Sequence, residues 1–281
     1  MTEKEKSYAG LLYQPGDPEL VADRAVTVKK LYEYNNLHPL DLEARQEAIR
    51  GLLGKAGENC VVEQPLFCTY GYNTTVGKNF FMNVNGKLMD SGKITIGDNV
   101  FIAPDVCIVT EEHAIDVEQR VAGLEYTHPV TIGDNVWIRE NTVIGTDGMS
   151  TDRDENGHPV TMPQFGGVVI EDDVQIGANA CILRGAIDDT VLHRGCKIDS
   201  LVLVSHNVSV GEESFVIAVT HLFGSSTVGR RAQVSGGCVV GNYVRIGDGA
   251  LLGMGSVAPR NIPDGWIAYG SPAKPMRERD M

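Results

Sequence analysis

The run from Ile198 to Val257, IDSLVLVSHNVSVGEESFVIAVTHLFGSSTVGRRAQVSGGCVVGNYVRIGDGALLGMGSV, decides the fold. Read in sixes, it puts an aliphatic side chain at Ile198, Val204, Val210, Val216, Leu222, Val228, Val234, Val240, Ile246 and Leu252 without a miss. The next position is often glycine, as at Gly211, Gly229, Gly241, Gly247 and Gly253. A short fixed period marks a solenoid, in which each turn buries its apolar residues against the turns above and below. Six residues fit neither a 3.6-residue helical turn nor a strand plus crossover helix. They do fit a short strand and a tight turn, and three such units close a triangular coil.

Outward from this run the pattern continues with interruptions. Coils recur at Ile170, Ile176 and Ile182, slip by four residues near Asp188, and settle from Leu192. Earlier coils are clear at IGDNV (96–100), IAPDV (102–106) and IGDNVW (132–137), and looser from Val76. Two stretches break the period, 111–129 and 146–168, and loops thrown from a solenoid corner tend to carry function. Residues 1–57 read as a helical cap. Asp17-Pro18-Glu19 is a helix start, with an Asp cap, proline at the first position and acid in the first turn. Leu20, Val28, Leu31 and Tyr32 follow at helical spacing, and a second helix starts near Asp41 and stops at Gly54. The organisation expected is therefore a cap (1–57), a solenoid (58–258) and a C-terminal tail (259–281).

Composition narrows the function. The chain has 281 residues, 42% apolar and only 6% aromatic, with 32 glycines. A formal charge of −13 disfavours nucleic acid and anionic membranes as partners. The six cysteines lie in no CxxC or zinc-like spacing and read as small buried hydrophobes of a reducing compartment. MTEKEKSYAG lacks the apolar core of a signal peptide, and no run approaches a membrane span, so a cytoplasmic location is expected.

The six-residue repeat resembles that of the hexapeptide-repeat acyltransferases, which implies a left-handed parallel β-helix, a homotrimer and active sites in the grooves between subunits. The hand comes from the resemblance, since crossover statistics favour the opposite one. The cap, EKEKSYAGLLYQPGD…LYEYNNLHP…GKAGENCVVEQPLFCTYGYN, resembles that of the maltose and galactoside O-acetyltransferases. The first loop, TEEHAIDVEQRVAGLEYTHPVTIGDNVWI, resembles the loop that holds the catalytic histidine of that family, a role that would fall on His113. Ala114 stands where that family usually has proline. FFMNVN and LMD also match, and would place Asn83 and Asp90 against a sugar acceptor.

The second half resembles a different branch. IGTDGM…MPQFGGVVIEDDVQIGANACILRGAIDDTVL…CKIDSLVLVSHNVSVGE is similar to the lipid A UDP-amino-sugar N-acyltransferase, and its histidine position is shared by the sialic-acid-type acetyltransferases. The base would then be His206. A second histidine of the N-acyltransferase falls on Asn242. The tail, GSVAPRNIPDGWIAYGSPAKPM, returns to the acetyltransferase pattern and places Arg260 and Lys274 where that family meets the phosphates of coenzyme A. Arg277 and Arg279 add to a local anion site in an acidic chain.

Acyl transfer from a thioester to an amine or hydroxyl needs a base for the acceptor's proton and donors for the oxyanion. A histidine of near-neutral pKa and backbone N–H groups at a solenoid turn suit these tasks. The sequence has no GxSxG elbow. His38, His128, His158, His193 and His221 read as surface or structural. From His206 to the tail turn at Ser256 is three coils, roughly 14 Å, whereas from His113 it is six, roughly 29 Å. If the tail holds the head of the donor, the shorter span suits a pantetheine arm. Arg139 and Glu140, beside Trp137 where small residues flank the donor in the acetyltransferases, also count against His113. Asn83, Asp90 and the first loop argue for it, and two sites are conceivable.

The expectation is an acyltransferase moving an acetyl or other short acyl group from acyl-CoA to a hydroxyl or amine of a sugar or nucleotide-sugar. It would use no covalent intermediate and no metal. The competing readings are a zinc enzyme of the γ-carbonic-anhydrase type and a non-catalytic trimeric scaffold. The His-x4-His pair of the zinc enzymes has no counterpart here.

Overall fold

In a computed structural model, which describes residues 1–278, the chain forms a parallel β-solenoid behind a small helical cap. Three sheets make its faces, with nine, eleven and nine strands. The first and third sheets are wholly parallel, and every coil adds one strand to each face. The second sheet ends in an antiparallel hairpin, Trp266–Gly270 against Ala273–Glu278.

The hexad positions point inward. Val204, Val210, Val216, Leu222, Val228, Val234, Val240, Ile246 and Leu252 are all 0% exposed, and they join the earlier coils in one continuous core. Strand partners fix the coil lengths. Leu203, His221, Val239 and Val257 stack at intervals of 18 residues. Phe67, Lys87 and Cys107 stack at intervals of 20, which is why the period reads loosely near Val76. Cys181 pairs with Leu203, 22 residues on, the four-residue slip near Asp188.

Each coil turns from the first face to the second through a residue with positive φ. The series is Asn59, Asn79, Asn99, Asn135, Asp173, Gly195, Glu213, Arg231 and Gly249. Asparagine tolerates this region because its short side chain bonds locally. Here the side chains bond along a ladder instead, each Nδ2 donating to the next oxygen, Asn59 to Asn79, Asn79 to Asn99, Asn99 to Asn135 and Asn135 to the Asp173 carboxylate, each at 2.8–3.0 Å.

Three helices build the cap: α1 (Glu3–Tyr8), α2 (Pro18–Asn35) and α3 (Leu42–Leu52). Asp17 and Asp41 cap the last two as expected, each side chain accepting a backbone N–H of the first turn. α1 was not expected; Thr2 and Glu5 form a reciprocal capping box around it. Tyr34 and Ile49 carry the cap into the solenoid core. Strands start at Lys55. No helix of the described residues is long and apolar enough to cross a membrane.

Candidate active site

The solenoid corner between the third face and the first gathers most of the chemistry. After Cys107–Val109 it throws out the first loop, a hairpin pairing Glu111–His113 with Glu125–Thr127 around a short helix, α4 (Val117–Val121). After Val143–Ile144 it throws out the second, with Ser150–Arg153 against Pro159–Met162. After Leu203–Val204 the corner is the tight turn that carries His206. Arg260 follows Val257–Ala258 at the same corner. Along the third sheet His206 lies three strands from the tail turn and His113 six, in agreement with the coil count.

His206 is half-buried and held on both ring nitrogens. Its Nδ1 lies 3.1 Å from Asn207 Oδ1, and its Nε2 lies 3.0 Å from Ser150 Oγ in the second loop. Two backbone groups fix the amide of Asn207. Oδ1 accepts the Ala186 N–H at 2.8 Å, and Nδ2 donates to the Asp188 carbonyl at 2.7 Å. The oxygen therefore faces Nδ1, which must carry the ring proton to make that bond, and Nε2 is left with the lone pair of a base. Gly224 lies against the ring; a β-carbon there would stand 2.3 Å from Nε2.

His113 sits on the first hairpin with its side chain 61% exposed, its Nδ1 3.6 Å from a Glu125 carboxylate oxygen. Burial pushes the Glu125 carboxyl up, while the Tyr13 hydroxyl donates to it at 2.8 Å. The cap clamps this hairpin. Tyr13 exchanges backbone hydrogen bonds with Glu125, and Thr127 Oγ1 donates to the Ser7 carbonyl. A cleft of about 520 Å³ opens beside His113, lined also by Glu112, Arg120, Asp147, Gly148 and Thr161. Gly148 also packs on His206, a β-carbon there coming within 3.2 Å of Cδ2. The segment around Gly148 thus touches both His206 and the cleft beside His113, and the strands that lead to the two histidines stand three spacings apart, roughly 14 Å.

Arg184 was missed in the sequence, and it ties these parts together. It is 1% exposed, with Nε donating to the Gly145 carbonyl at 2.6 Å and 3.0 Å from Asp147. Its Nη2 reaches the Glu111 carbonyl at 3.4 Å. Tyr126 in the first loop donates to Asp147 at 3.0 Å. One buried guanidinium therefore joins both loops to the coil beneath them. Burial raises the Asp147 carboxyl, and Arg184 opposes that rise. A charged residue inside the four-residue slip, where the hexad asks for none inward, was the available signal.

The residues expected to hold an acceptor are placed differently. Asp90 is 0% exposed: Oδ1 accepts backbone N–H groups of Thr69, Tyr70 and Gly71, and Oδ2 accepts the Thr74 hydroxyl. Burial pushes its pKa to about 6. Its side chain is committed to the turn under the first loop. Asn83 is half-buried at another corner, between the second and third faces, with Oδ1 accepting the Val84 N–H. One chain does not bring Asn83 to either histidine. Lys274 is exposed on the terminal hairpin opposite Tyr269, and Arg260 is exposed. Arg277 stands on the same strand, whereas Arg279 lies outside the described residues. No three His, Cys, Asp or Glu side chains among the described residues are placed to share a metal ion. Burial raises the thiol of Cys60 to about 11 and that of Cys196 to about 12.

Comparison with known proteins agrees with this architecture. Residues 6–57 match the maltose acetyltransferase hexapeptide capping motif, and residues 167–199 match the hexapeptide repeat of succinyl-transferase. The chain is 46% identical over 127 residues to a Saccharomyces cerevisiae protein named "Putative acetyltransferase", a match covering 45% of this chain and 65% of that one. It is 41% identical over 135 residues to the UDP-3-O-acylglucosamine N-acyltransferase of Methylobacterium nodulans, covering 48% and 38%. The chain belongs to the hexapeptide-repeat acyltransferases. Within the family it spans less than two thirds of the length of either relative. Its fold is also that of the UDP-N-acetylglucosamine acyltransferase from Campylobacter jejuni (TM-score 0.55, 17% identity, covering 80% of this chain and 71% of that one).

Proposed function

We propose that the protein transfers an acetyl or other short acyl group from acyl-CoA to a hydroxyl or amine of a sugar or nucleotide-sugar, with His206 as general base. The observation that carries this reading is the fixed Asn207 amide, which leaves Nε2 of His206 free to take a proton. Beside it, Gly224 lets the His206 ring lie directly on the next coil, since a β-carbon there would stand 2.3 Å from Nε2. The acceptor's hydroxyl or amine gives its proton to Nε2 as it attacks the thioester carbonyl, and the imidazolium returns that proton to the departing thiolate. No covalent enzyme intermediate is needed for transfer to the sugar.

In this reading Arg260, at the same corner, and Lys274 neutralise the phosphates of the donor. His113 and its cleft bind the acceptor, with Asp90 holding the turn beneath them. Asn83, at another corner, reaches an acceptor only across a subunit boundary. A homotrimer is supported by the apolar pair on the second face, where the stacked neighbours Phe101 and Trp137 are 49% and 46% exposed. The activity is placed in the cytoplasm, where acyl-CoA is available.

The reading is tested by acetyl transfer from labelled acetyl-CoA to a panel of sugars and amino sugars, with and without a chelator. Chelator-resistant turnover is expected. Turnover abolished by the chelator and restored by zinc would favour a metalloenzyme, and donor binding without turnover would favour a scaffold.

A further inference from the structure

The base at His206 is already in contact with a hydroxyl. Ser150 Oγ lies 3.0 Å from Nε2, and with Nδ1–H pointed at Asn207 the serine is the donor in that bond. Ser150 is half-buried at the first position of the second hairpin, where it pairs with Met162. That hairpin is anchored from below, since Arg184 grips Gly145 and Asp147 while Tyr126 donates to Asp147. Asn207, His206 and Ser150 therefore form an ordered array of orienting amide, base and hydroxyl, the arrangement that activates a serine toward carbonyl carbon. The cleft beside His113 reaches the same strap through Gly148.

We propose that Ser150 is a site of self-acylation, in which His206 directs the acyl group of a bound thioester onto the Ser150 hydroxyl whenever no acceptor occupies Nε2. The inference rests on the acyltransferase reading above for its donor. Ser150 Oγ bonds to the thioester carbonyl carbon as its proton passes to Nε2. The carbon–sulfur bond then breaks, and the leaving thiolate takes the proton from Nε2 and departs as the free thiol. Nothing is oxidised or reduced, and the product is an ester on Ser150. Transfer to a sugar then requires its hydroxyl or amine to displace Ser150 from Nε2. Acylation removes the proton that Ser150 donates and so breaks its bond to the base.

The test incubates the full chain, without acceptor, with acetyl-CoA and separately with S-acetyl-N-acetylcysteamine, a thioester lacking the nucleotide. Intact mass and peptide mapping then locate any acetyl group. One acetyl group on Ser150 is expected, absent in Ser150→Ala, reduced on the order of 100-fold in rate in His206→Gln, and retained as a thioester in Ser150→Cys. Sugar acetylation with no label on Ser150 from either thioester would overturn the proposal and leave the acyltransferase reading standing. Label on Ser150 that persists at the same rate in His206→Gln would also overturn it. Neither sugar acetylation nor protein label would remove both.

Discussion

Gly224 lies so close to the His206 ring that a β-carbon on it would stand 2.3 Å from both Cε1 and Nε2. The two residues come from adjacent coils of one corner, so the spacing is set by strand pairing rather than by loop adjustment. Gly224→Ala must push the imidazole away from Asn207 and Ser150. We expect kcat to fall on the order of 100-fold while the solenoid stays folded, since position 224 does not face the core. Steady-state kinetics together with thermal melting check this. A wild-type kcat in a folded variant would show that the ring position is irrelevant.

Asn207 is expected to set which nitrogen of His206 is the base. It has φ 58°, so Asn207→Gly removes the amide without adding backbone strain. The variant loses bonds to Ala186 and Asp188 and should cost about 1–2 kcal/mol of stability, with a larger relative loss of kcat. Chemical denaturation measures the first quantity and initial rates the second.

Acid should act on stability through two buried groups of opposite sign. Burial lowers His128 to about 4, with Arg184 adding to the effect, whereas Asp90 is raised to about 6. His128 binds its proton less readily folded than unfolded, so its contribution is present above about 6.5 and is lost as pH falls toward 4. Asp90 binds its proton more readily folded, so its contribution is present below about 3.8 and is lost as pH rises through about 6. Each amounts to about 3 kcal/mol over its window, and together they partly cancel. His128→Phe should leave stability falling as pH rises from 4 to 6, and Asp90→Asn should leave it rising. Denaturation midpoints across pH 4–7 separate the two; parallel curves for wild type and both variants would contradict the assignment.

Val219 is a β-branched residue at φ 61°, exposed on a turn, and its N–H donates to the Ser200 carbonyl, a bond that any residue in this conformation would make. Val219→Asn should stabilise the protein by about 1 kcal/mol, read as a rise in melting temperature. A fall would mean that the Val219 side chain is covered in the assembled protein.

Changing Arg260 and Lys274 together to Ala should raise KM for acetyl-CoA several-fold at low salt, with the difference shrinking as salt screens the wild-type contacts. An unchanged KM at every ionic strength would return both residues to a solvated role.

Much of this architecture was legible because a solenoid writes its geometry into a local period. The ten hexad residues from Ile198 to Leu252 defined both the core and the coil count, and the coil count placed His206 nearer the tail than His113. Asp17 and Asp41 were legible as caps because capping is a local interaction. α1 was not, because a six-residue helix has little propensity of its own and is held by contacts to Ser91 and Thr127 far along the chain. The contact between Ser150 and His206 spans 56 residues and depends on how a hairpin folds back over its corner, which no period encodes. Asp90 fell within a motif match, but only the packed turn shows Oδ1 taken by backbone N–H groups and Oδ2 by the Thr74 hydroxyl.

The most direct test of the account is acetyl transfer to the same panel of acceptors by wild type, His206→Ala and His113→Ala, with product read by mass because six thiols would obscure a colour assay for released coenzyme A. His206→Ala is expected to lose turnover by a factor on the order of 100 or more, whereas His113→Ala keeps kcat while its KM for the acceptor rises. Turnover abolished in His113→Ala and preserved in His206→Ala would contradict it and place the chemistry in the first loop.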